Sequence, residues 1–88
     1  MPTLDSQTAA AVFAAAATST DWRRTNRGQQ VRVSHGSDTY YVEIDSSGRY
    51  FAQITAWEGY GGTEYVQDAN ADLDQHRALA AQANTHAP

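Results

Sequence analysis

The chain has 88 residues, ten acidic against six basic side chains, a net charge of −4 at pH 7 and no cysteine. Folding at this length buries only somewhat more than about 60% of the extended-chain surface, and without cysteine neither a disulfide nor a thiolate metal site can reinforce so small a core. The acidic balance disfavours non-specific attachment to nucleic acid or anionic membranes, and no run approaches the roughly 18 apolar residues of a membrane-spanning helix.

The first element is an alanine-rich segment over 6–19, SQTAAAVFAAAATS. Alanine loses no side-chain entropy on entering a helix, so this run is a strong helix former. Asp5 is its N-cap, with Leu4 and Ala9 placed as a hydrophobic staple. Ala9, Val12, Phe13, Ala16 and Ala17 recur on one side, making Val12 and Phe13 the anchors in the core. The segment lacks the basic start of a signal peptide, so the expectation is a soluble cytoplasmic protein forming a single domain over 1–88, loose at 1–4 and 84–88.

Residues 18–28, TSTDWRRTNRG, read as a connecting loop. Arg23, Arg24 and Arg27 crowd there beside Trp22, which is placed to cap the edge of the core. With Arg32 they are candidates for anion or nucleic-acid binding. The plainer reading is a solvated loop whose arginines pair with nearby acids.

The stretch 29–57 carries three alternating runs, expected as strands near 29–35, 39–45 and 49–57. Val31 and Val33 share a face; so do Tyr40, Val42 and Ile44, and then Tyr50, Ala52, Ile54 and Ala56. The opposite face is polar but carries Tyr41, Phe51 and Trp57 among Arg32, Glu43, Gln53 and Thr55. The turns at 35–38 and 45–48 are rich in turn formers, and Gly48 suits a left-handed position. A glycine-rich turn at 59–62 holds Tyr60 at its tip and lacks the spacing of a phosphate-cradling loop. Residues 63–67, TEYVQ, are expected as a short fourth strand, and its Tyr65 joins the aromatics in one register.

The last element is expected as a helix over 69–83, capped by Asp68 or Asn70. Asp72 and Asp74 then fall in its first turns, where the helix dipole favours acids. Leu73, His76, Leu79, Ala80 and Ala83 form its apolar stripe. His76 lies four residues after Asp72, so the two can bond as a partly buried pair; no activated nucleophile accompanies them. His35, His76 and His86 are scattered, which argues against a zinc site, and no residue set asks for a metal or a cofactor.

The order helix, three strands, helix resembles the double-stranded-RNA-binding domain. In that family a basic stretch at the start of the final helix reads phosphates; the matching residues 70–74 are acidic here, and the run at 63–67 departs from the pattern. The likeness is one of order, so no binding residue is carried over.

The fold expected is α+β, an antiparallel meander of three to four strands with a helix at each end packed on its aliphatic face. Two short helices cover one face of such a sheet more readily than two, which leaves the mixed face for contact. The function expected is a non-enzymatic protein-binding module, of the kind found among phage and mobile-element inhibitors or modulators of a host protein. Its contact residues are Tyr41, Phe51, Trp57, Tyr60 and Tyr65. The alternatives are a nucleic-acid-binding module using Arg23, Arg24, Arg27 and Arg32, and a structural homodimer.

Overall fold

The computed structural model describes residues 4–59, 62–64 and 69–88, with the backbone alone at 59 and 62–64. The chain is α+β, with helix α1 (Ser6–Ala16) first and helix α2 (Leu73–His86) last. Between them lie strands β1 (Arg23–Thr25), β2 (Gly28–His35), β3 (Asp38–Asp45), β4 (Gln53–Gly59), β5 (Gly62–Glu64) and β6 (Ala69–Asn70). All pairings are antiparallel, in the spatial order β1-β2-β3-β4-β5, and β6 also pairs with β4.

Helix α1 forms as its composition dictates. The Asp5 carboxylate accepts from the Thr8 amide at 2.7 Å and from the Thr8 hydroxyl at 2.9 Å. Those two bonds hold the Asp5 carboxyl below the usual carboxylate range, because they favour the charged form. Val12, Phe13 and Ala16 are buried, and Leu4, Ala9 and Ala17 pack partly against them. The helix stops at Ala16, short of the expected end. There the Trp22 indole N–H donates to the Ala16 carbonyl at 2.9 Å, taking one of the orphan acceptors that every helix end leaves.

Both helices lie on the aliphatic face of the sheet. Val31, Val33, Tyr40, Val42, Ile44, Ala52 and Ile54 from the sheet side meet Val12, Phe13, Ala16, Leu79 and Ala83 from the helices in one buried cluster. Burial pushes the Tyr40 phenol up, with the charges of Asp38 and Asp5 adding to it. Gly48 sits at φ +73°, closing the turn after β3.

Several expectations change. The connection over 18–28 holds a strand, β1, joined to β2 by a two-residue turn. The third long strand begins at 53 rather than 49. The Ala52 amide is taken by His76 Nδ1 at 3.0 Å and its carbonyl by the Ala71 amide at 2.7 Å, so this stretch bonds to the α2 segment rather than to β3. Part of the expected fourth strand is present as β5; residues 65–67 lie outside the described residues.

The last helix also starts later than expected. Residues 69 and 70 pair with Ile54 and Gln53, and Asp72 is the N-cap in a reciprocal capping box with Gln75 (2.8 and 2.9 Å). Asp72 caps the helix while His76 Nδ1 accepts from the Ala52 amide, and the expected Asp72–His76 side-chain pair is absent. The helix runs past 83 to His86. Buried Gln29 donates to the Asn84 side chain at 3.1 Å and to the Ala87 carbonyl at 2.7 Å, clamping the C-terminal turn onto β2.

Candidate functional site

One irregularity decides where the aromatics go. Across β3 and β4, Val42 faces Ile54 but Tyr41 faces Ala56, which leaves Thr55 as an extra residue on β4. Such a bulge puts two residues opposite one and reverses the alternation beyond it. Trp57 therefore faces Tyr40 on the helix-covered side, with ring centroids 6.3 Å apart, and packs partly against the core. Sequence alternation alone had placed it on the opposite face.

Phe51 also leaves the mixed face. It lies before β4 begins, and its ring stacks on the His76 imidazole of α2 at 5.1 Å with planes 24° apart. Tyr41 stays on the open face, half-buried, its hydroxyl donating to Glu58 at 3.1 Å. The three aromatics expected together thus occupy three places. Tyr60 and Tyr65 lie outside the described residues.

The arginines divide as well. Arg23 faces Gln30 and donates to its side-chain oxygen at 2.9 Å on the open side. Arg24 faces Gln29, whose side chain reaches α2, so Arg24 belongs to the helix side of the edge strand. Arg32 faces Tyr41 across the open face. Arg27, in the β1–β2 turn, borders a concavity that also holds Glu43 and Asp45. The four guanidinium groups are not gathered into one basic stripe, and acids stand among them.

Two surfaces remain. The open sheet face is built of cross-strand rows that are almost wholly polar: Gln30, Glu43, Gln53 and Asn70 in one, Ser34, Thr39 and Glu58 in another. The second surface is apolar and lies at the start of α2. Among the described residues the exposed large hydrophobics are Tyr50 (57%), Phe51 (46%) and Leu73 (45%). Leu73 and His76 are three apart on α2 and so neighbours on its surface, and Phe51 stacks on His76, while Tyr50 lines the concavity of the open face. The α2 N-terminus and the 46–52 loop thereby present one apolar end, held by the Ala52–His76 hydrogen bond.

Tyr50 and Leu73 were assigned to the covered face by periodicity, and both are exposed. The signal that would have corrected Leu73 is Asp72-x-x-Gln75, a capping pattern that places Leu73 at the first helical position rather than within a stripe. Among the described residues no group of three or more His, Cys, Asp or Glu is placed to hold a metal ion, and no helix is long and apolar enough to cross a membrane. Comparison of the chain with protein-family models, curated proteins and solved structures returned no match.

Proposed function

We propose that the protein is a non-enzymatic binding module that docks another protein through the apolar end formed by Phe51 and Leu73 beside His76. The observation that supports this is that two of the exposed large hydrophobics among the described residues, Phe51 and Leu73, flank His76 at the start of α2. Aromatic and leucine side chains rimmed by polar residues suit an interface core, since they bury much area with few rotatable bonds. The rim here is polar and mixed in sign, with Arg49 on the loop and Asp72 and Asp74 on the helix. The scattered arginines favour a protein partner over nucleic acid, whose phosphates need a continuous positive track.

The test is affinity capture from the native cell with the wild-type chain and with Phe51→Ser and Leu73→Ser. A partner retained by the wild type, lost at least tenfold in both variants and insensitive to moderate salt is the expected result. Retention of the same partner by both variants contradicts the assignment, and steep loss of wild-type binding with salt points to phosphate contacts instead.

A further inference from the structure

The open face carries a second candidate, separate from Phe51 and Leu73. A concavity of ≈ 630 Å³ lies over β3, β4 and β6, with Arg27 and Tyr50 among its lining residues. Its volume is within the roughly 300–1,000 Å³ typical of small-molecule sites. Glu43 faces Gln53, and Gln53 faces Asn70, so three planar polar side chains stand in a single row across its floor. The bulge adds Thr55 beside them, half-buried and in the same concavity.

The chemistry of the lining narrows the ligand. The walls and floor are too polar to reward an apolar molecule, whose binding depends on a mostly hydrophobic pocket. Glu43 and Asp45 together outnumber Arg27, so a phosphate or carboxylate ligand meets net negative charge. Asp45 is moreover committed to its own turn: its carboxylate accepts from the Ser47 hydroxyl and from the Ser47 amide at 3.0 Å, which lowers its pKa. What remains available is a set of matched donors and acceptors. Glu43 only accepts, the Gln53 and Asn70 amides do both, the Thr55 hydroxyl, which donates to the Tyr41 carbonyl at 3.4 Å, accepts, and Arg27 only donates. A vicinal pair of hydroxyls, each of which donates and accepts, meets such planar groups two bonds at a time. The broadly exposed Tyr50 ring offers a flat surface for the C–H face of a sugar ring.

We infer that this concavity is a binding site for a neutral saccharide, hydrogen-bonded along the Glu43–Gln53–Asn70 row and stacked on Tyr50. The site uses neither Phe51 nor Leu73, so it stands or falls independently of the protein-docking end.

The experiment is an amide-resolved NMR titration of the full chain with cellobiose, maltose and chitobiose, each to about 20 mM, which detects dissociation constants in the millimolar range. Inorganic phosphate and an arginine-rich hexapeptide serve as the contrasting probes. The expected result is saturable shifts confined to 43, 53–55 and 70 with at least one disaccharide. Tyr50→Ala and Gln53→Ala should each weaken binding at least tenfold, with the remaining amide spectrum unchanged. Absence of shifts with all three disaccharides overturns the inference. So does undiminished binding by both variants, or a response of these amides to phosphate or to the peptide alone.

Discussion

Replacing Trp57 and Tyr41 by alanine, one at a time, tests the bulge and hence the assignment of the two sheet faces. Without the bulge the two rings share a face; with it, Trp57 packs toward the helices and Tyr41 toward solvent. Full burial of a Phe or Trp makes truncation to alanine cost about 3–5 kcal/mol. Trp57 is half-buried, so about half of that applies, and its tilted pairing with Tyr40 adds about 0.5–1.5 kcal/mol. Trp57→Ala should therefore cost about 2–4 kcal/mol. Tyr41 is also half-buried, but its hydroxyl bonds an exposed Glu58 and its cross-strand neighbours are Arg32 and Ala56. Tyr41→Ala should cost about 0.5–1 kcal/mol, near the range of surface sites. Urea unfolding followed by far-ultraviolet circular dichroism gives both values. In a Trp22→Phe background, Trp57 fluorescence gives an independent check, since the ring should be poorly quenched by iodide. A cost for Tyr41→Ala equal to or above that for Trp57→Ala would refute the reversal of alternation at Thr55.

Gly28→Ala should cost about 3 kcal/mol or more, because at φ +152° the added methyl collides with the Ile44 carbonyl and lies 2.8 Å from the Ser46 amide; circular dichroism melts would read the loss. Gln29→Leu should cost about 1–3 kcal/mol and speed amide exchange at 84–87, since the Ala87 carbonyl loses a buried donor. His76→Ala frees the Ala52 amide, so that amide should exchange faster while the centre of β3 keeps its protection. For Asp5 the pKa is lowered in the folded state, so its stabilising effect is complete above the unfolded carboxylate value of about 3.9 and is lost as pH falls through the lower folded value. The melting-temperature gap between wild type and Asp5→Ala should accordingly be constant from pH 7 to 5 and close towards pH 2.

Most of the architecture was legible because local signals agreed with one another. Asp5, the alanine run, the Val-Val and Tyr-Val-Ile alternations and the two turns all follow rules that act within a few residues, and all reappear in the fold. The failures come from pairing between distant segments. Nothing local marks Thr55 as a bulge; it is produced by the joint demand that Ile54 and Trp57 both pack against the helices, opposite Val42 and Tyr40. Ala52 looked like the inner residue of a strand and is buried as expected, yet its backbone bonds go to Ala71 and His76, which are distant in sequence. Arg23–Thr25 forms a strand because β2 offers it an edge, not because its residues favour one. The aromatic group therefore dissolved into separate places, and the exposed end was assembled instead from Phe51 and Leu73, the latter assigned by periodicity to the interior.

The central claim, that the Phe51–Leu73 end engages a protein partner, is tested most directly by site-specific photocrosslinking in the native cell. A benzophenone amino acid at position 73 is compared with the same group at position 32, on the open sheet face. The account predicts a discrete adduct with a second protein from position 73, absent from position 32 and abolished by Phe51→Ser. An adduct with another copy of this chain alone, one formed equally from both positions, or one that survives Phe51→Ser would contradict it.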